Sequence, residues 1–141
     1  MRAFATAIAL FTLLAASAQA QSLDGKGLFE QKCAVCHIPH RPTKEDRAKM
    51  VAPPAMGVMY HVKERYTSPE AAVDFVVDYV IDPKREKAVC MERSIRRFGL
   101  MPSQKGNVSE AQLRAIAAYM VDTFPPAGFR HPKMGRGLPV R

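Results

Sequence analysis

The sequence has no second Cys-x-x-Cys pair, no His-x-x-x-His pair and no convincing strand pattern. The first two absences argue against a zinc site, which commonly takes its four ligands from two such pairs. The third argues against the strand–helix–strand setting of a thioredoxin-like redox pair. The basic residues are not interleaved with aromatic ones, so the sequence does not favour a nucleic-acid-binding protein. No internal repeat is visible.

Only one stretch is long and apolar, and it lies at the N-terminus. Residues 3–16 form a run of 14 small and apolar residues that is broken only by two threonines. This run is shorter than the roughly 20 residues that span a bilayer. Because Ala18-Gln19-Ala20 places small residues where a signal peptidase reads, we expect a signal peptide at residues 1–20, cleaved after about Ala20. An uncleaved membrane anchor is the alternative. We expect a periplasmic mature chain without a transmembrane segment.

Basic residues outnumber acidic ones, 21 to 13, which gives a formal net charge of +8 at pH 7. Arg2 is the only ionised side chain in the predicted signal peptide, so its removal leaves +7. Such an excess steers encounters with acidic partners in a salt-dependent way. We therefore expect an acidic protein surface or an anionic membrane face as the partner, and no nucleic acid.

Hydrophobic periodicity and capping residues predict four or five helices. They cover residues 24–36, 55–66, 69–82, 84–97 and 109–124. Ser68 and Pro69 begin the third helix, and a capping box of Ser109 and Gln112 begins the last. The charged segment at residues 41–49 is expected to be a solvated loop. The apolar positions expected to face the core are Met56, Met59, Tyr60, Val73, Val76, Val77, Val80, Ala88, Met91, Ile95, Leu113, Ile116, Ala117, Met120 and Phe124.

The motif that carries chemistry is Cys33-Ala34-Val35-Cys36-His37. Taken alone, it fits a disulfide, half a zinc site, a redox pair or a covalent haem anchor. A disulfide would leave His37 without a role and Cys90 as an odd cysteine. The haem interpretation uses every residue, because both thiols can add to vinyl groups on one porphyrin edge while His37 binds the iron. We therefore predict one covalently bound haem c per chain, with His37 as the proximal axial ligand.

A second axial ligand is needed to close the iron site. The candidates are Met101, Met91, Met56, Met59, Met120, His40 and His61. Met101 lies in Phe-Gly-Leu-Met-Pro-Ser-Gln-Lys-Gly (98–106), a loop flanked by glycine and proline that can hold a thioether against iron. The other methionines fit equally well as packing residues on helices.

Along most of its mature length the chain resembles class I c-type cytochromes. Residues 25–37 look like the first helix and haem motif of that family, and residues 113–120 look like its last helix. The resemblance implies that these helices cross, with Gly25 and Phe29 touching Ile116 and Tyr119. It also implies an all-α cytochrome c fold, in which four or five helices surround one haem.

The resemblance further implies roles for two loops. Leu100-Met101-Pro102 matches the family's axial methionine segment, which makes Met101 the distal iron ligand. The prolines at 52–54 resemble the segment whose carbonyl accepts the free N–H of the axial histidine.

The chain departs from the family in a few places. Ile38 replaces a common glycine, and residues 38–54 and 84–99 are enlarged insertions. The expected organisation is a signal peptide at 1–20, a cytochrome c domain at 21–126 and a basic flexible tail at 127–141.

Two axial ligands leave no position for a substrate, so we expect a periplasmic carrier of single electrons rather than an enzyme. Its partners would be acidic redox proteins, met through a ring formed by Arg41, Lys44, Arg47 and Lys49, which could instead be an ordinary solvated loop. The alternatives are a haem subunit or docking module of a larger periplasmic oxidoreductase, and a haem enzyme or sensor with an open or switchable axial site.

Cys90 is expected to be a quiet thiol packed in a helix, with an intermolecular disulfide or iron ligation as alternatives.

Overall fold

The computed structural model describes residues 23–131 of the chain. This part has six α-helices and no strand, only an isolated bridge between Lys105 and Val108. The helices are α1 (Gly25–Lys32), α2 (Lys44–Lys49), α3 (Ala55–Arg65), α4 (Pro69–Ile81), α5 (Glu92–Phe98) and α6 (Glu110–Thr123). The predicted all-α class is confirmed. The predicted signal peptide and residues 132–141 of the predicted tail lie outside the described residues.

Helix α6 is the centre of the packing, because α1, α3 and α4 all lie against it. It begins with the predicted capping box, in which Gln112 N donates to Ser109 Oγ (3.2 Å) and Ser109 N donates to the Gln112 side chain (3.1 Å). These two bonds satisfy donors that the first helical turn leaves without partners. The residues of α6 predicted to face the core are all buried: Leu113, Ile116, Ala117, Met120 and the C-cap Phe124.

Helices α1 and α6 cross at a glycine. Gly25 lies against the backbone carbonyl of Ala115, and a Cβ at position 25 would also come within 3.0 Å of Tyr119 Cβ. One turn further along α1, the Phe29 side chain is fully buried, with ring centroids 5.7 Å from Tyr119 and 5.6 Å from Phe124. The predicted contact between the first helix and Tyr119 is confirmed.

Helices α3 and α4 form the remaining walls of the core. Met56 and Met59 of α3 are buried as predicted, and Tyr60 is half-buried. Helix α4 begins as predicted, with the Ser68 hydroxyl accepting from Ala71 N (3.1 Å). Of the four valines predicted to face inward on α4, Val76 is buried, and Val73, Val77 and Val80 are partly buried against the same core.

The expected loop at residues 41–49 contains a short helix, α2. The Thr43 hydroxyl accepts from Asp46 N (3.1 Å) and the Asp46 carboxylate accepts from Thr43 N (2.8 Å), which makes a complete capping box. Because no side chain of α2 is buried, hydrophobic periodicity gave no sign of it. The prediction of a loop was wrong, although the solvent exposure it implied is present.

Two other helix boundaries also differ from the prediction. Helix α1 ends at Lys32, and residues 33–36 form turns rather than a continuation. The helix predicted at 84–97 is replaced by a turn at 85–87, an irregular stretch and the short helix α5. Lys87 accounts for the turn, since its ammonium group bonds Asp78 (2.9 Å) and Asp82 (3.0 Å) and folds this segment back onto the end of α4. The predicted stop at Gly99 is confirmed, with φ at 77°.

Candidate functional site

An apolar cavity of about 310 Å³ opens between α1, α3, α4, α5 and α6. Its walls are largely aliphatic and aromatic and include Val58, Val62, Phe75, Val76, Val80, Ile95, Phe98, Val108, Leu113, Ile116 and Met120. Cys33, Cys36, His37 and Met101 line this same cavity. The fold therefore brings together all four residues that the sequence singled out. Residues 33–37 and Met101 are more than 60 positions apart along the chain.

The two cysteines lie on a tight turn that continues directly from α1. Cys36 N and His37 N both donate to the Cys33 carbonyl, at 3.1 and 2.8 Å, so the turn keeps helical geometry after the helix has ended. Cys33 and Cys36 are not joined by a disulfide; Cys33 is half-buried and Cys36 is exposed. Burial raises the pKa of the Cys33 thiol, and the neighbouring Cys36 adds to this shift. The turn thus presents both thiols to the cavity.

His37 is oriented by a backbone carbonyl. Its Nδ1 donates to the carbonyl oxygen of Pro53 (2.8 Å), as the family resemblance predicts. A carbonyl oxygen only accepts, so the hydrogen bond requires the proton on Nδ1 and leaves the lone pair on Nε2. Burial lowers the pKa of His37, with the bond to Pro53 opposing that shift. A neutral imidazole in this tautomer can act as a metal ligand through Nε2.

Met101 lies on the loop that connects α5 to α6. The loop leaves α5 at Gly99, whose positive φ of 77° favours glycine,. It passes the end of α4, where Gln104 N donates to the Val80 carbonyl (3.0 Å). Met101 itself is half-buried and lines the cavity.

Of the other candidates for the second axial ligand, one lines the cavity and the rest lie outside it. Met120 also lines the cavity, as a buried residue on the inward face of α6. His40 is exposed and pairs with Asp46 (3.1 Å) outside the cavity. His61 bonds Glu64 (3.2 Å) and lines a separate, more open cleft. Met56, Met59 and Met91 are not among the lining residues.

Cys90 also lines the cavity, at a position that differs from the one the sequence predicts. It was expected on a helix, but it lies in the irregular stretch before α5 and lines the cavity beside Tyr79. Burial raises the pKa of the Cys90 thiol. Burial also raises the pKa of the Tyr79 hydroxyl, with Cys90 adding to the shift. No periodic signal could have found Cys90, since it follows the turn made by Lys87 and belongs to no helix face.

The residues of the cavity fit a haem. Two thiols at one end, a neutral imidazole with a free Nε2 and a thioether sulfur are the donors that a porphyrin needs from a protein, because the macrocycle brings its own equatorial nitrogens. Apolar walls suit its flat hydrophobic faces.

Comparison with known proteins agrees with this chemistry. A family model described as "Cytochrome C oxidase, cbb3-type, subunit III" matches residues 20–120. The chain belongs to this family of c-type cytochromes. An uncharacterized protein of Aquifex aeolicus (strain VF5) is 30% identical over 112 residues, which cover 71% of this chain and 73% of that protein. No solved structure matches the chain.

Membership of the family establishes the general function. The all-α fold is that of a cytochrome c, and the family's covalently attached haem fits an electron carrier rather than an enzyme. Among residues 23–131, no helix is long and apolar enough to cross a membrane.

Proposed function

We propose that this protein is a periplasmic mono-haem cytochrome c that passes single electrons between redox proteins. In this proposal Cys33 and Cys36 form the thioether links, and His37 and Met101 are the two axial ligands of the iron. The main support is that His37, with its Nδ1 proton bound to Pro53, shares one apolar cavity with Met101. Residues 1–20 would be the cleaved signal, 21–126 the cytochrome domain and 127–141 a basic tail.

The haem, when bound, supplies one-electron oxidation and reduction at its iron. The protein's residues decide how that chemistry proceeds. With His37 and Met101 both as ligands, no position would remain for a substrate, and the chemistry supplied by the haem would be electron transfer without bond making at the metal. The Pro53 carbonyl keeps the His37 ring in one orientation, which favours a small reorganisation between oxidation states.

Two features favour the reduced state. A soft thioether ligand stabilises ferrous iron, and apolar walls such as Val76 and Leu113 disfavour the additional positive charge of ferric iron. We therefore expect a reduction potential above that of a comparable site with two histidine ligands.

The mouth of the cavity is a suitable contact surface for a redox partner. Val35, Val51 and Leu100 line the cavity and remain 78%, 62% and 39% exposed. Exposed basic residues lie on α2 and just before it: Arg41, Lys44, Arg47 and Lys49. Weak redox complexes commonly combine a small apolar contact with charge steering. An acidic redox protein fits this surface.

A redox titration combined with absorption spectroscopy tests the proposal. The ferric protein should show the far-red band of methionine-to-iron ligation, and Met101→Ala should remove that band while Met120→Ala, a change in the lining of the same cavity, should leave it. Cys90→Ala should also leave it. If wild-type ferric protein lacks the band and the ferrous form binds carbon monoxide readily, the site is open and the protein is a haem enzyme or sensor instead.

A second function, as a haem subunit of a larger periplasmic oxidoreductase, is favoured by the description of the matching family as an oxidase subunit. Gel filtration of native extract at low and moderate salt separates the two. A monomer in both conditions supports the diffusible carrier. Co-elution with other redox proteins that persists at moderate salt supports the subunit.

A further inference from the structure

The loop that carries Met101 is attached to the end of α4 by a side chain with no assigned role. The hydroxyl of Ser103 donates to the carbonyl of Ile81, the last residue of α4, at 2.6 Å. The last carbonyls of a helix have no partner within the helix, so they are available to such a donor. Next to this bond, Gln104 N donates to the Val80 carbonyl at 3.0 Å. Two adjacent bonds therefore join this loop to α4.

The Ser103 hydroxyl makes a second bond, which orders the loop itself. Its oxygen accepts from Lys105 N at 3.2 Å, so one small group joins the backbone of the loop to the backbone of α4. The hydroxyl donates its hydrogen to the Ile81 carbonyl, and a lone pair on the hydroxyl oxygen accepts from Lys105 N. An alanine can do neither, whereas a threonine retains both capacities.

Helix α4 is a fixed reference for this attachment. It packs on α6, with Ala72 and Val76 buried and Arg114 of α6 bonded to Asp74 at 2.8 Å. Helix α6 in turn packs against α1, which leads directly into the haem motif. The loop is thus held to the same framework that positions His37.

We propose that Ser103 is a positioning residue that holds the Met101 thioether in the haem cavity. Met101 lies only two residues before Ser103, and Pro102 between them restricts the intervening backbone. This inference rests on the proposed His37/Met101 ligation. Ser103 is exposed, so the groups it leaves behind can bond water, and its loss acts on the loop more than on the global fold,.

The test measures how readily imidazole replaces Met101 as a ligand in the ferric holoprotein. Loss of the far-red methionine band reports the replacement. Loss of one net hydrogen bond should raise the equilibrium constant for opening of the loop by a factor on the order of five. Ser103→Ala should raise the imidazole binding constant by about that factor and lower the reduction potential. Ser103→Thr should retain wild-type values. Ser68→Ala is the matched control, because it also removes an exposed serine hydroxyl that bonds the backbone at one end of α4, but at its beginning.

The outcomes separate the inference from the proposed function. If wild type lacks the methionine band, or Met101→Ala retains it, the proposed ligation is wrong. If wild type has the band, Met101→Ala loses it and Ser103→Ala binds imidazole as wild type does, the role of Ser103 is wrong. An equal effect of Ser68→Ala also overturns that role, since it would show a general loosening of α4.

Discussion

The Nδ1 atom of His37 lies 2.8 Å from the carbonyl oxygen of Pro53, a residue 16 positions further along the chain. A second bond flanks it, in which Ala55 N donates to the Ile38 carbonyl at 3.0 Å. Together they join the segment after the Cys-x-x-Cys-His motif to the beginning of α3. The segment between them, which contains α2, can therefore vary without changing the orientation of the His37 ring.

This relationship predicts one tautomer for His37. Because a carbonyl only accepts, the holoprotein should carry the His37 proton on Nδ1, with Nε2 unprotonated. Nitrogen-15 NMR should detect a protected Nδ1–H that exchanges slowly with water. His40 is the internal control, because its ring is exposed and should exchange rapidly. An unprotonated Nδ1 on His37 would contradict the prediction.

The crossing of α1 and α6 predicts opposite effects for two glycine substitutions. Gly25→Ala would place a methyl group against the Ala115 carbonyl, which is backbone and cannot move aside. We expect a loss of about 1–3 kcal/mol in the free energy of unfolding. Gly57→Ala is the control, because its methyl would meet only Pro54 Cγ at 3.8 Å within α3. That variant should be more stable by about 0.5–1 kcal/mol.

Denaturant unfolding of the two holoprotein variants measures both effects. Equal stability of Gly25→Ala and wild type would mean that the two helices cross less closely than the structure indicates.

Thiol counting tests the covalent haem links and the state of Cys90 together. The chain has three cysteines, and two are proposed to be thioethers. Unfolded holoprotein should therefore react with one equivalent of a thiol reagent. Unfolded protein made without haem should react with three equivalents. Cys90→Ser should reduce the holoprotein count to zero. Two or three reactive thiols in the holoprotein would contradict the covalent links.

The reactivity of Cys90 in the folded holoprotein should depend on pH. Burial raises the pKa of this thiol, so the reactive thiolate forms only at a pH above the ordinary range near 9.0,. Alkylation at pH 8 should be slower in the folded protein than in the unfolded one, and the folded rate should rise only at more alkaline pH. Mass spectrometry over a series of quenched times measures both rates. Equal rates at pH 8 would show that Cys90 is accessible and has an ordinary pKa.

Charge reversal on α2 tests the proposed partner surface. Lys44→Glu combined with Lys49→Glu should slow electron transfer to an acidic redox protein at low salt. Both side chains are exposed, so the substitutions would replace attraction to the acidic partner by repulsion,. The difference in rate from wild type should largely disappear near 1 M salt, because the Debye screening length is then only about 3 Å. Lys26→Glu combined with Arg65→Glu, at exposed positions on α1 and α3 outside the cavity lining, gives the same change in net charge. If that pair has an equal effect, net charge rather than the α2 surface controls the rate.

Local sequence was sufficient for much of the fold. Capping groups at Ser68 and Ser109, and apolar spacing along α3, α4 and α6, predicted elements that the structure contains. These signals lie within a few residues of the bonds they describe, so they can be read without knowing the rest of the chain. Helix α2 escaped prediction because it buries no side chain and so has no hydrophobic periodicity, although its capping box is local. The division of residues 84–97 escaped for the opposite reason, since it involves ion pairs from Lys87 to the end of a different helix.

The candidate site divides in the same way. By itself the sequence determined the motif at residues 33–37, because attachment of haem requires two thiols and an imidazole at fixed local spacing. It also supplied several methionines of equal chemistry. Only the tertiary structure brought Met101 and Met120 into one cavity with His37, excluded Met56, Met59 and Met91 from its walls, and put Cys90 beside it. The packing of α1, α3 and α4 on α6 and the loops between these helices decided these positions, since contacts between residues far apart in the chain cannot be read from local spacing.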